Sequence, residues 1–595
     1  MDEDYKDDIK TRGAFDLADV EYATSIQSWF KQSDKKEAEM REESEEDFKF
    51  YSGHQWEENA KATMRQERRP ALTLNYVLPI INAVIGEERQ NRQEIKVYGR
   101  DPDDDAGAFA MSELIRWVMD TCNGEYEISK AFKDMIICGR GYIEITIDYS
   151  IDPTGEIRLG RVKPSEIYVD PVSEREDLYD ARYVIREKYL TEDQIAATFG
   201  EDKVSLIKGL HGDQTNKSSV EHSFKGDDYS YGGRVFRSND GTYQVLEVWH
   251  SELVEGALVQ NPQTGQTEEL TIEELEAVLK ETAQQQEAQG QPVAETIDYI
   301  KRPIKQFFHG FVCGSVTLLK EPSPHTNLKS FPIIPIFGLR DDEDESWFGI
   351  VKSIKDAQRQ HNVEQSSLLH WVQTQPKSGW IAPRGAFVDK RRWEQRSSQA
   401  GFIGEYNATR GMPQQLRAMP LPRHILEMAQ TRLQNMRDIS GVNVELLGSS
   451  PKDTAGIVMQ MRQRQGMTIL ETYFDNLRLT RRLIGTVLIS MIQQYIADDR
   501  KVRIMGERGA RYVQATTDLQ FGKFDAIVED STDTPNDKMA TMYILQTTLP
   551  MLLQAGVPVP PSFVDILPIS QHIKDEWKQM LENMMNQQPQ PEQPQ

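Results

Sequence analysis

Cysteine is scarce: Cys122, Cys138 and Cys313 are the three in 595 residues. No CxxC pair joins them, so neither a disulfide framework nor a thiolate zinc site follows, and a reducing compartment is expected. Long apolar runs are missing as well. The most apolar stretch, 483–492, falls well short of the ~20 residues a membrane-crossing helix needs, so no integral membrane segment is expected. The opening Met1-Asp2-Glu3-Asp4 has neither the positive flank nor the apolar core of a secretory signal. Positive charge is in deficit, with 69 Lys and Arg against 94 Asp and Glu and a formal net charge of −25. The bulk of such a chain repels nucleic acid.

Signatures of catalysis are lacking too. The nearest approach to a phosphate-binding GxxxxGK[ST] loop is Gly155 to Arg161, with Arg in place of Lys and no hydroxyl residue, so nucleotide hydrolysis is not supported. There is no HExxH, GxSxG or GxGxxG, and of the ten histidines only His211 and His222 approach metal-ligand spacing. Asp101 to Asp105 resembles the start of a calcium loop, but Ala106 and Ser112 stand where Gly and a bidentate Glu are required. It reads as a solvated acidic loop. No enzyme activity, cofactor or metal is expected.

What is present is a local inversion of charge. Residues 346–440 hold 14 Lys and Arg against 7 Asp and Glu, which puts this segment at +7 and the remainder at −32 (−25 − 7). A basic segment in an acidic chain points to a polyanion or an acidic partner. It reads as a neck: helix-like from Trp347 to Gln375, rich in Pro, Gly and aromatics from Pro376 to Pro422, helix-like again from His424 to Ser440. Lys352, Lys355 and Arg359, three and four apart, share one helical face, and Arg432 with Arg437 lies on roughly one face of the second helix. These five are the candidates for a surface facing nucleic acid or an acidic partner. Lys390-Arg391-Arg392-Trp393, with Arg384, Phe387 and Arg396, mixes cations and aromatics as a protein interface does.

Around the neck the hydrophobic period changes several times. Residues 33–49 read as an exposed helix with i,i+4 charge pairs, and 78–84 and 109–118 as further helices. Ile143, Ile145 and Ile147, the turn at 152–155, then Ile157 and Leu159, predict a β-hairpin. Tyr183 to Tyr189 and Tyr243 to Trp249 read as strands, and Ile304 to Leu319 as paired strands about Gly314. Thr191 with Gln194, and Thr271 with Glu274, have the spacing of capping boxes. Residues 200–240 read as a surface excursion and 284–291 as low complexity. Leu470, Phe474, Leu477, Arg481, Ile484, Leu488, Met491 and Tyr495 form the longest helical stripe, interrupted at Arg481 and open to a kink at Gly466 or Gly485. Strand-like 502–504 and 512–514 predict a return to a sheet begun near the N-terminus. Helical patterns follow at 536–553 and 562–585, and the Gln and Pro of 587–595 read as disordered.

Several strings resemble the portal, or head-to-tail connector, proteins of tailed double-stranded DNA phages, in the large form of short-tailed phages. They are Phe50-Tyr51-Ser52-Gly53-His54-Gln55-Trp56, Arg69-Pro70-Ala71-Leu72-Thr73-Leu74-Asn75, Gly86-Glu87-Glu88-Arg89-Gln90-Asn91-Arg92, Cys138-Gly139-Arg140-Gly141, Asp148-Tyr149, and Asp170-Pro171-Val172-Ser173 with Asp177 and Asp180-Ala181. The resemblance implies a mixed α+β, mainly helical, portal-type fold. Its α/β wing would be 1–345 (insertion-like at 200–240 and 255–300) with return strands in 501–534. Stem helices would be 346–375 and 423–440, a small α/β clip 376–422, a tunnel loop 441–456, a long kinked helix 457–500 and a helical crown 535–586, with 587–595 a tail too short for a C-terminal barrel.

It further implies a ring of about twelve copies in the virion, at one capsid vertex, assembled in the host bacterial cytoplasm. Duplex DNA would pass without sequence specificity, and the partners would be the terminase large subunit, the major capsid and scaffolding proteins, and tail adaptor proteins. A DNA-binding packaging enzyme, such as a nuclease or ATPase subunit, and a capsid adaptor without a channel are the alternatives.

Overall fold

Alternating isoleucines build the predicted hairpin. Strand Arg140–Asp148 runs antiparallel to Glu156–Val162, with Ile145 opposite Leu159 and Ile147 opposite Ile157, and Ile333–Phe337 pairs with its other edge. The computed structural model describes residues 17–99, 105–150, 153, 155–210, 241–260, 267–272, 274–276, 279–280, 299–325, 328, 330–374, 379–396, 401–416, 423–442, 468–496, 501–506, 509–514 and 524–530. The chain forms two compact units, one of 1–43, 85–348 and 472–595, the other of 44–84 and 349–471.

The first unit is mixed α and β. Its largest sheet joins Ile167–Val169, Tyr183–Leu190, Tyr243–Gln260, Tyr299–Cys313 and Val316–Pro322 in that order, with Thr267–Thr271 on the outer half of the third. Side chains of successive strand residues point to opposite faces, and both faces are covered. Tyr22, Ala23 and Ile26 of helix Leu17–Ser52 pack on Tyr183, Ile185, Leu246 and Val248. Ile195 and Ile207, from helices Glu192–Phe199 and Glu201–Leu210, pack on Tyr243, Val245 and Cys313. The capping box at Thr191 closes reciprocally: the Gln194 N–H donates to Thr191 Oγ1 at 3.3 Å and the Thr191 N–H to Gln194 Oε1 at 2.9 Å. The second box, at Thr271 and Glu274, closes in the same way.

Two glycines of the resemblance strings are required by space. Helix Gly124–Cys138 ends at Gly139, whose φ of 83° is left-handed, and a Cβ there would lie 2.4 Å from the backbone of Phe348. A Cβ on Gly141 would lie 2.1 Å from the Ala131 carbonyl oxygen. Arg140 between them is buried and donates to Glu37 Oε2 at 2.9 Å. The helix at 33–49 is therefore more than a solvated face: Ser33, Glu37 and Asp47 are buried.

Other expectations need correction. The excursion at 200–240 begins as helix Glu201–Leu210, and its remainder lies outside the described residues. The segment from 255 is no mere insertion at its start, because strand Tyr243–Gln260 runs straight into it and pairs with Tyr299–Cys313 over its whole outer half. The neck helix does not begin at Trp347: Leu339–Asp341 pairs with Ser346–Phe348 in a tight hairpin, Trp347 belongs to its second strand, and the first neck helix starts at Ile350. The strands Lys501–Gly506 and Gly509–Gln514 pair with each other. The strand that returns to the N-terminal half is Phe524–Asp530, antiparallel to Gln93–Gly99.

The long helix is unbroken over Glu471–Tyr495 after a 3-10 turn at Thr468–Leu470. Gly485 serves contact within it, since a Cβ there would meet Ala526 Cβ and Ile95 Cγ2, each at 2.7 Å. Arg481, which breaks the apolar stripe, is fully buried. It holds Glu125 through two bonds of 2.8 Å, Glu88 at 3.4 Å and the Gln93 carbonyl at 2.9 Å. Burial works against its charge, yet Glu125 and Glu88 keep its pKa above the ordinary arginine value. Residues 443–467, the crown 535–586 and the tail 587–595 lie outside the described residues.

Candidate functional site: the helical hairpin and its tip

Helices Ile350–Thr374 and Arg423–Ser440 pack on each other. Arg432 Nε lies 3.5 Å from Glu364 Oε1, and the two residues stand nearly equally far in sequence from the intervening tip, as in an antiparallel pair. At the tip Gly379–Ile381 pairs with Gln414–Leu416, so the chain leaves and rejoins the hairpin at one place.

The first helix is held by amides and hydroxyls. Gln358, Asn362 and Ser366, four apart and buried, accept the backbone N–H groups of Tyr76, Leu74 and Leu72 at 3.1, 3.0 and 2.9 Å. Four residues of helix rise about 6.0 Å and two of an extended chain about 6.6 Å, so three rungs stay in step. The next alternate position is Pro70, which has no N–H to give, and on the other side helix Val77–Gln90 begins; the ladder ends where the donors end. Asn362 Nδ2 donates to Gln55 Oε1 at 2.7 Å, Gln55 Nε2 to Asn75 Oδ1 at 3.0 Å, and Trp56 Nε1 to the Leu72 carbonyl at 3.0 Å. The strings 50–56 and 69–75 are thus the clasp of this helix. Each satisfied rung contributes only about 0.5–1.5 kcal/mol, whereas a buried group left unpaired costs about 1–3 kcal/mol.

The sequence-predicted cations are largely consumed by the same unit. Lys355 is buried and its Nζ lies 2.9 Å from Glu46 Oε2 and 3.3 Å from Asp47 Oδ1. Burial alone lowers the lysine pKa, but the bonds and charges of Glu46 and Asp47 raise it above its usual value. Arg359 bonds Glu46 and Asp356 and lies 4.9 Å from the ring of Phe50. Arg432 faces Glu364, while Lys352 and Arg437 are half-buried. Exposed positions include Ser353, Asp356, Gln360 and Val363 on the first helix and Thr431, Gln434, Asn435 and Asp438 on the second. Among the residues of both helices whose side chains are described, 350–374, 427–428 and 430–440, no exposed position is Lys or Arg. Charge counting had no means of seeing partners some 309 positions away.

The tip divides its candidate residues in two. Trp393 is buried, its ring centroid 4.8 Å from Trp380, 5.0 Å from Phe387 and 5.3 Å from Phe402, and Nε1 donates to the Glu405 carbonyl at 3.2 Å. It is core, with Phe387 half-buried beside it. Arg384, Lys390, Arg391, Arg392 and Arg396 are exposed around that core, as are Ile381, Val388, Ile403 and Met412. Such a surface suits contact with acidic protein rather than chemistry. Among the described residues no group of three His, Cys, Asp or Glu is placed to hold a metal ion, and no helix is long and apolar enough to cross a membrane.

The family model described as phage P22-like portal protein matches residues 27–595. The chain belongs to the P22-like portal proteins. Among relatives, the portal protein of Acyrthosiphon pisum secondary endosymbiont phage 1 is 22% identical over 550 residues, covering 84% of this chain and 71% of that protein. The portal protein of Helicobacter pylori bacteriophage KHP30 is 19% identical over 519 residues, covering 86% of this chain and 74% of its own. A solved structure titled "Virion of native gene transfer agent (GTA) particle" is similar at 10% identity and a TM-score of 0.33, over 81% of this chain and 91% of that one. Membership of the portal family implies a structural component of a phage particle and an oligomeric ring.

Proposed function

We propose that copies of this chain form a ring-shaped channel at a single capsid vertex, through which duplex DNA is packaged by the terminase motor and later ejected, and to which tail adaptor proteins attach. The family match over 27–595 carries this reading. The ring has about twelve copies, is built in the host cytoplasm with capsid and scaffolding proteins around its wing, and takes its energy from the motor.

The helical hairpin lines the passage. A duplex binds tightly where several phosphates are neutralised together, and the exposed Ser, Thr, Gln, Asn and Asp positions of the hairpin do not neutralise them. Arg437, half-buried on the second helix, is the candidate cation for DNA contact. At the tip, Arg384, Lys390, Arg391, Arg392 and Arg396 meet acidic surfaces of the motor and then of the tail. Electron microscopy of the purified chain tests the reading: rings with an axial hole are expected, and solid particles or monomers at high concentration overturn it. Gln360→Lys combined with Gln434→Lys is expected to leave rings intact and slow DNA passage, an effect that added salt relieves in a packaging assay.

A further inference from the structure

Two arginines on the clasp, unlike Arg359 and Arg432 of the hairpin, have no carboxylate partner among the described residues. Arg65 lies in the last turn of helix Glu58–Gln66 and Arg68 just beyond it, both exposed. Arg68 has a φ of 57°, the left-handed region that side chains seldom enter. The turn is fixed by the Arg68 N–H to the Arg65 carbonyl at 3.2 Å and the Arg69 N–H to the Met64 carbonyl at 2.8 Å. Its base is anchored where Trp56 and Ser366 bond Leu72. The two guanidinium groups therefore stand on a fixed turn, exposed and without a carboxylate partner among the described residues.

Their surroundings argue against DNA as the partner. Glu57, Glu58 and Glu67 flank them, all exposed, and would repel a phosphate backbone; Glu58 engages Lys61 at 4.0 Å and Glu67 engages Arg69 at 3.1 Å. Charge of both signs, interspersed and with three arginines in it, suits a protein contact better than a phosphate backbone. A complementary pair lies elsewhere on the chain. Glu39 and Glu42 of helix Leu17–Ser52, three apart and so on one face, are exposed and have no cation partner among the described residues. Glu45 and Glu46 of the same helix are occupied by Lys49, Lys355 and Arg359.

We propose that Arg65 and Arg68 of one copy bind Glu39 and Glu42 of the next copy around the ring. The proposal rests on the ring reading above and names its contact. Copies that each carry −25 repel one another, so association needs local pairs of opposite sign. Arginine is suited to this, since its fork matches a carboxylate bidentately. The two patches lie on different elements, so in the ring proposed above each copy presents its arginines to one neighbour and its glutamates to the other, a heterologous contact that closes when the rotation between copies closes.

Charge reversal tests it on the full-length chain, with ring content read by sedimentation and microscopy and folding checked by thermal melting. Arg65→Glu with Arg68→Glu is expected to lower the ring fraction about ten-fold near 0.1 M salt with an unchanged melting profile. Glu39→Arg with Glu42→Arg is expected to do the same, and all four together to restore rings. The milder Arg65→Gln with Arg68→Gln should fall between. Wild-type chain that forms no ring overturns the reading and the inference together. Wild-type rings with unchanged rings in either reversed pair, or no recovery in the quadruple variant, overturn the inference alone. Intact rings with less packaged DNA in the Arg65→Glu, Arg68→Glu variant also overturn it, by assigning these arginines to DNA.

Discussion

Helix Ile350–Thr374 and helix Glu471–Tyr495 each run 25 residues, and each seats side chains four apart on alternate residues of another segment. In the second unit Gln358, Asn362 and Ser366 accept N–H groups from Tyr76, Leu74 and Leu72. In the first, Thr480 and Asn476 donate to the carbonyls of Pro335 and Phe337 at 2.9 Å each. The geometry is shared, but the support is not. Around its two polar rungs the 471–495 helix buries Leu477, Ile484, Leu488, Met491 and Ile492 with one ion, Arg481. The 350–374 helix has Val351 and Ile354 at its start and then polar rungs and a salt cluster. One helix is held by exclusion of water, the other by satisfied donors. The second kind leaves an outer face that is polar at Ser353, Asp356 and Gln360 and apolar at Val363 and Val372.

The largest expected effect lies in the first unit. Arg481→Met would leave Glu88, already held above the usual carboxylate pKa by burial, without its guanidinium. Removing one member of a buried pair costs about 3–5 kcal/mol, and urea unfolding followed by circular dichroism should show the loss. If Arg481→Met costs no more than a surface change, the ion is dispensable and the contrast between the helices fails.

Asn362→Leu is the matching test in the second unit. It strands Gln55 Oε1 in a buried place and takes the acceptor from the part-buried Leu74 N–H, an expected cost of about 1–3 kcal/mol. Hydrogen exchange at Leu74 should accelerate, while the amides of Ile336 to Gly338 and their neighbours keep their protection. Acceleration in both units would mean that the two clasps are one cooperative structure.

Little of this contrast was legible in the sequence. The apolar stripe of the long helix, the 143–159 hairpin and both capping boxes were legible because period and spacing record which side a residue faces. Gln358, Asn362 and Ser366 were not, because an amide on a solvated face and an amide reading a backbone look the same in one dimension. Lys352, Lys355 and Arg359 make a cationic row in sequence; in space Glu46 and Asp47 hold Lys355, and Glu46 shares Arg359 with Asp356. Arg481 looked like an interruption because Glu88 and Glu125 are distant in sequence. The returning strand Phe524–Asp530 was missed because a strand's own pattern does not name its partner. The strings 50–56 and 69–75 were found through the resemblance, but their use as a clasp was visible only in three dimensions.

Acid should separate the two units further. In the first, burial lowers the His325 pKa to about 4, with His309 adding repulsion, and burial lowers His250 to about 4. His325 Nδ1 lies 3.0 Å from the Tyr495 hydroxyl at the end of the long helix. A folded pKa below the usual ~6.5 of histidine means the unfolded chain takes the proton first, so stability is present above about 6.5 and falls as pH drops towards 4. The clasp rungs do not titrate. Glu46, which burial would raise but Lys355 and Arg359 hold below its ordinary 4.5, contributes until the pH falls beneath that value. Thermal melts between pH 7 and 4 should lose the Trp249 signal, stacked 3.9 Å from His309, before exchange protection at Leu74 is lost. The reverse order would refute the assignment.

Pro70→Ala should have the smallest effect and probes what ends the ladder. No rung is lost, because Pro70 donates nothing and its neighbours at 72, 74 and 76 keep their acceptors. The new N–H comes in step with the turn beyond Ser366, where Pro70 is already half-exposed and water can satisfy it. The expected cost is only the entropy returned to the unfolded chain, about 0.4–1 kcal/mol. A substantially larger loss in urea unfolding would mean that the proline holds the segment in register against the helix, so that the clasp depends on a stop as well as on its donors.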